Sequence, residues 1–136
     1  MLEVEDLPQV RELINVTFGM GLYEEDDEKL NKFIQSGYSV VAAHDGEICG
    51  VALAYEIPEL SRCSLYLDTF AVAESLRGCG IGKKMLKHIQ SICRKKGGHG
   101  VYKIKLQTDR KIEAYQIYKH WGFGEDDLVH MHMYFL

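Results

Sequence analysis

Proline is scarce in this chain: of 136 residues only Pro8 and Pro58 are proline, so long elements can run unbroken. The four cysteines, Cys49, Cys63, Cys79 and Cys93, form no CxxC pair. Their separations of 14, 16 and 14 residues do not suit a zinc finger or a small disulfide scaffold. Reduced thiols in a cytoplasmic protein are the expectation. No run reaches the roughly 18 apolar residues that a membrane span needs. The first residues, MLEVEDLPQV, are acidic and do not read as a signal peptide. An excess of basic charge is also missing: 16 Lys and Arg stand against 20 Asp and Glu, a net −4. With no basic stripe interleaved with aromatics, a general nucleic-acid binder is not expected. Linkers, repeats and low-complexity tracts are absent.

A core is affordable, because 46% of the residues are hydrophobic and the length suits one domain over residues 1–136. The stretch that organises the chain is Leu65 to Lys96. Leu65–Val72 is apolar and aromatic, as a strand requires. After a short polar joint comes Arg77-Gly78-Cys79-Gly80-Ile81-Gly82, and then a helical stripe of Ile81, Met85, Leu86, Ile89, Ile92 and Cys93. Glycines between a strand and a helix let a ligand approach the backbone, and the free amides of a helix start favour phosphate. Arg77, Lys83 and Lys84 add positive charge. The turn therefore reads as an anion site for a phosphorylated cofactor, or else as a tight turn whose glycines only relieve crowding. It is not GxGxxG, and it lacks the hydroxyl of a Walker loop, because Lys84 follows Gly82-Lys83.

In chain order the pattern predicts a helix over Pro8–Phe18 and a second over Glu24–Ser36, the latter opened by the acidic run Glu24 to Glu28. A hairpin follows, Ser39–His44 and Glu47–Ile57 around Asp45-Gly46, stopped by Pro58. Then come the central strand and helix, a break at Gly97, Gly98 and Gly100, and a strand over Val101–Gln107. A helix capped by Asp109 spans about Lys111 to Trp121, and a terminal strand Leu128–Leu136 ends the chain. This order implies one layered α/β domain with a mixed sheet.

Two motifs give the chain a resemblance. Arg77 to Gly82 fits [QR]xxGx[GA], and Ala114 to Phe123 fits AxxxYxxxGF about 36 residues later. In both, and over nearly its whole length, the chain resembles the GCN5-related N-acetyltransferase family. The resemblance implies a GNAT-like mixed central sheet with helices on both faces, and acetyl-CoA as the acyl donor. It also implies a V-shaped gap where the strand ending at Val72 splays from the strand near Leu106.

By that resemblance, main-chain groups of Phe70, Ala71 and Val72 hold the pantetheine arm. Gly78, Cys79, Gly80, Ile81 and Gly82, with Arg77 and Lys83, hold the diphosphate. Lys111 stands where the family often has an asparagine and could reach a phosphate; Tyr115 would line the cofactor. Tyr118 stands where the family often has a general acid, able to protonate the departing thiolate. Asp68, placed by two-residue alternation on the face of Phe70 and Val72, is the first candidate for a water-relayed base. His130 is the second. His130 and His132 also share a face, but no third metal ligand is evident and the chemistry requires no metal.

The family's first strand is missing here or reduced to Met1–Val4, and little room is left for a penultimate strand between Phe123 and Leu128. The sheet is then small at both margins, or a second copy of the chain covers an edge as a homodimer. The resemblance implies acetyl transfer to a primary amine. A small cationic acceptor is favoured, drawn by acidic residues such as Glu24 to Glu28, Glu56 and Glu59, and held near Tyr23, Tyr55, Asp68 and His130. The alternatives are a protein or peptide N-acetyltransferase, and a CoA-binding regulatory module without turnover.

Overall fold

The computed structural model describes residues 1–96 and 100–135. Four strands form one sheet in the order β1-β2-β3-β4. They are β1 Val40–His44, β2 Glu47–Pro58, β3 Cys63–Val72 and β4 Val101–Lys105. The first three pair antiparallel, and β4 lies parallel to β3. At the first hairpin, Asp45 and Gly46 both take positive φ, 50° and 79°, the backbone a tight two-residue turn demands. The sheet is mixed, and helices cover both faces, as the family resemblance implied.

Helices α1 (Leu7–Phe18) and α2 (Asp27–Ser36) lie on one face. Leu7, Val10, Ile14 and Leu30 pack there against Val51, Leu53 and Ala71. On the other face lies α3 (Ile81–Lys95), whose Met85 and Ile89 pack on Tyr38, Val40, Ala52, Ala54, Leu65 and Leu67. This is the stripe that the helical spacing predicts. Each such buried aliphatic side chain is worth about 1.5–3 kcal/mol. The last helix, α4, spans Glu113–His120. Among the described residues no helix is long and apolar enough to cross a membrane.

Several expected elements differ. The acidic run starts as a 3₁₀ turn, Glu24–Asp26, before α2 proper. Asp109 accepts the Lys111 amide at 2.8 Å but sits three residues before the N-cap, which is Ile112. β4 stops at Lys105, short of Gln107. The terminal strand expected over Leu128–Leu136 is not formed: Leu128–Phe135 carries no ladder and its residues are exposed. The segment has the alternation of a strand but pairs with no strand among the described residues. One expectation holds: no first strand precedes α1, and of Met1–Val4 only Leu2 is buried, its amide donating to the Ser39 carbonyl at 3.0 Å, while Val4–Asp6 is a 3₁₀ turn. Gly97 and Gly98, expected to break the chain after α3, lie outside the described residues.

Candidate active site

The parallel pairing of β3 with β4 runs only from Cys63↔Val101 to Tyr66↔Lys105. Beyond it β3 continues to Val72, bonded to β2 alone. Among the described residues Leu67–Val72 thus has no strand partner on its β4 side, which leaves an unpaired edge, the slot. This is the splayed gap that the resemblance implied, opening at Tyr66.

At the end of the slot the chain turns through Ala73–Gly80 into α3. Gly78 and Gly80 hold φ of +78° and +81°, the left-handed region that other residues resist. Gly82 serves differently. A Cβ there would lie 2.7 Å from Trp121 Cη2 and 3.1 Å from Phe70 Cε1, so the missing side chain admits the tryptophan ring. The first amide bonded within the helix is that of Lys84, which donates to the Gly80 carbonyl at 3.1 Å. Among the described residues the amides of Gly78 to Lys83 donate to no protein acceptor, as expected at a helix start without a side-chain cap. Arg77 is exposed and its Nε donates to the Val72 carbonyl at 3.1 Å, which braces the turn against the strand end. Lys83 and Lys84 are exposed on the first helical turn. Open amides, two adjacent ammonium groups and the positive end of a helix suit a diphosphate. The unpaired edge of β3 suits an amide-bearing arm extended from it.

The other wall is built by the end of α4. Trp121 packs on Phe70 with ring centroids 5.4 Å apart, and Tyr118 stands edge-on between Trp121 (5.8 Å) and Phe123 (5.9 Å). Tyr118 is half-buried, and burial pushes its phenol above the ordinary value of 10.0. At neutral pH it is therefore a proton donor. Trp121 was given no role in the sequence reading. It joins the turn, the slot strand and the tyrosine, and the only sequence signal was a bulky ring inside the AxxxYxxxGF motif.

The expected site residues do not all meet. β3 carries a bulge: Leu53 pairs Thr69 and Ala54 pairs Leu67, which leaves Asp68 without a partner residue. Leu65 and Leu67 before it, and Phe70 and Val72 after it, pack into the same cluster beside α3, so the alternation changes parity at Asp68. The two-residue rule that set Asp68 on the face of Phe70 and Val72 fails for this reason. Asp68 is exposed and accepts a hydrogen bond from Thr69 Oγ1 at 2.8 Å. Next to it Tyr66 stacks on Tyr55 at 5.5 Å, and Tyr55 on Phe33 at 5.8 Å. Burial first, then Asp68 and Tyr55, raise the Tyr66 phenol. Tyr66 is the second residue the sequence reading left without a role.

Tyr115 turns its hydroxyl to Glu125 at 3.1 Å. Arg110, then Tyr115, hold that carboxyl below its ordinary value. Lys111 is exposed. His130 is exposed, with Nδ1 3.4 Å from Gln107 Nε2 just beyond β4. Tyr23 is exposed before α2. Of the acidic residues, Asp27 is bound to Arg11, Glu56 accepts the Tyr38 hydroxyl, and Glu59 lies 3.8 Å from Lys105. Glu24, Glu25 and Glu28 remain outward. No group of three or more metal-ligating side chains occurs among the described residues.

A slot with a phosphate-suited turn at its end and a neutral phenol on its wall has the shape and chemistry to suit an extended phosphorylated cofactor. The chain belongs to the acetyltransferase (GNAT) family, whose profile matches residues 7–123. It is accordingly an acetyl-CoA-dependent acetyltransferase. No curated protein matches it. Solved structures share its fold at low identity. An aminoglycoside acetyltransferase, meta-AAC0020, from an uncultured soil metagenomic sample in complex with sisomicin has a TM-score of 0.81 at 23% identity, over 99% of this chain and 93% of that one. Glucosamine-6-phosphate N-acetyltransferase from Arabidopsis thaliana has 0.77 at 21%, over 98% and 95%. A transcriptional regulator from Bacillus halodurans C-125 has 0.78 at 19%, over 98% and 96%.

Proposed function

We propose that this protein moves the acetyl group of acetyl-CoA to the primary amine of a small cationic acceptor. The observation that carries the reading is the open-amide turn at Gly78–Lys83 set at the end of the unpaired edge of β3, with protonated Tyr118 on the facing wall. Bound there, the cofactor supplies an activated acyl group. Gly78, Cys79, Gly80, Ile81 and Gly82 hold the diphosphate through their amides, with Arg77, Lys83 and Lys111 adding charge. Phe70, Ala71 and Val72 bind the arm through the main chain. Tyr115 is the remaining cofactor contact; its bond to Glu125 would orient it from behind.

As the amine nitrogen bonds to the acyl carbon and the carbon–sulfur bond breaks, Tyr118 gives its proton to the sulfur. The acceptor reaches the site neutral; as its nitrogen bonds to the acyl carbon it sheds one proton, which Asp68 takes through water, with His130 the alternative. Much of the rate would come from holding the two reactants together. Outward Glu24, Glu25 and Glu28 favour a cationic acceptor, with Tyr23 and Tyr55 as its apolar contacts. The likeness in fold to aminoglycoside acetyltransferases is in keeping with such an acceptor.

The test is a panel of polyamines, aminoglycosides, amino acids and peptides with acetyl-CoA, read by free thiol release. Turnover with small polycations and none with peptides supports the proposal. Turnover only with peptides makes the acceptor a protein. CoA binding without turnover on any amine makes the chain a regulatory module.

A further inference from the structure

The Tyr118 side chain is aimed by packing. Among the described residues no group hydrogen-bonds its hydroxyl, and burial is the one cause of its raised phenol. The ring stands edge-on between those of Trp121 and Phe123, 5.8 and 5.9 Å away. The main chain ties Tyr118 to the same two residues: its carbonyl accepts the Trp121 amide at 3.1 Å and the Phe123 amide at 3.0 Å. Gly122, at φ +103°, lets the chain turn between those two bonds. Tyr118, Trp121 and Phe123 thus form one closed unit at the end of α4.

Trp121 keys that unit to the rest of the site. Its ring fills the space left by the missing side chain of Gly82, where a Cβ would lie 2.7 Å from Cη2 and 3.1 Å from Cζ2. Gly82 is buried in the first turn of α3, inside the run of open amides. The same indole packs on Phe70, with centroids 5.4 Å apart, on the strand whose free edge suits the arm. One ring therefore touches the turn suited to a diphosphate, the strand suited to the arm, and the phenol suited to protonate a sulfur. The fit at Gly82 is so close that a single methyl group on the helix would displace the indole.

We propose that Trp121 is a positioning residue for acyl transfer: seated in the notch at Gly82, it fixes the Tyr118 hydroxyl relative to the phosphate turn, and so relative to the sulfur of a cofactor held there. The inference rests on Tyr118 being the acid. Proton delivery needs donor and acceptor within hydrogen-bond reach, and a misplacement of about 1 Å can cost about 100-fold in rate. Through the notch, the position of α3 becomes the position of the acid.

The test moves the indole without touching Tyr118. The first readout is NMR of the free protein labelled on its tyrosine rings, the Tyr118 signals being identified by their loss in Tyr118→Phe. Gly82→Ala is expected to shift those signals, although the atoms nearest its new methyl belong to Trp121 and Phe70. In a Trp121→Phe background the same substitution is expected to leave them in place, because the shorter ring leaves room for the methyl. The second readout is thiol release from acetyl-CoA with the amine of the panel above that turns over fastest. Trp121→Phe is expected to lower kcat by about tenfold with CoA affinity nearly unchanged, and to cost nothing further once Tyr118 is Phe. Should Gly82→Ala fail to fold, this second cycle decides. Unmoved Tyr118 signals in Gly82→Ala, or kcat losses from Trp121→Phe and Tyr118→Phe that simply multiply, would overturn the proposal and leave Tyr118 as the acid. An unchanged kcat in Tyr118→Phe would remove the acid itself, and this role of Trp121 with it.

Discussion

Adding one methyl group at Gly82 tests the packing beneath the phosphate turn. Its Cβ would meet Trp121 and Phe70 ring carbons at 2.7 and 3.1 Å. Gly82→Ala is expected to lower stability by about 1–3 kcal/mol, read from the urea midpoint. Gly80→Ala meets no neighbour but strains a residue at φ +81° by about 1–2 kcal/mol and displaces the amides. The expected result is a CoA affinity lower by about tenfold. Tyr118→Phe keeps the ring packing and removes the proton; kcat is expected to fall about 10²-fold with CoA affinity unchanged. Unchanged kcat would remove Tyr118 as the acid. Ser64 is buried in β3 and its hydroxyl has no hydrogen-bond partner among the described residues. Ser64→Ala should raise the melting temperature, because an unsatisfied buried hydroxyl costs about 1–3 kcal/mol. The glycine spacing announced the turn, but it could not divide the three glycines between backbone conformation and ring packing. That division depends on Trp121, about 40 residues away in the chain.

At the scale of elements, α1, α2, α3 and the first hairpin were legible because each carries its own signal: an apolar stripe at helical spacing, or Asp45-Gly46 between alternating runs. Elements whose form depends on neighbours were not. The bulge at Asp68 exists only in the pairing of β3 with β2, so alternation along β3 alone misplaced that side chain. A bulge of the same kind leaves Tyr102 unpaired between Val101 and Lys103, again visible only in the pairing of β4 with β3. The tail has a strand's pattern without a ladder, because a ladder needs a second strand. Ile89 sits at the centre of the α3 contact and is fully buried. Ile89→Ala should cost about 2–5 kcal/mol, read by chemical denaturation, and is expected to leave the affinity for CoA nearly intact in the folded fraction.

For the whole molecule, two cores lie on either side of one sheet, and β3 runs past the end of its pairing with β4. The layered α/β class was legible from element order, and so was the missing first strand; the other margin, where a terminal strand was expected, was not, because an edge is set by what lies outside a strand. Alkaline pH tests the packing as a unit. Burial first, then Glu56, holds the Tyr38 phenol well above its ordinary 10.0, and burial raises Tyr66 and Tyr118 as well. In the unfolded chain these phenols ionise near pH 10. The stability they lend is full below that pH and is lost as pH rises above it, at about 1.4 kcal/mol per pH unit for Tyr38. Denaturant midpoints from pH 8 to 11 should hold level and then fall, with a shallower fall in Tyr38→Phe. Trp121 has one further consequence. It is the single indole of the protein, and its ring rests on Gly82 at the threshold of the phosphate turn. Its ultraviolet emission is thus a built-in optical gauge, able to report occupancy of the turn with no label attached.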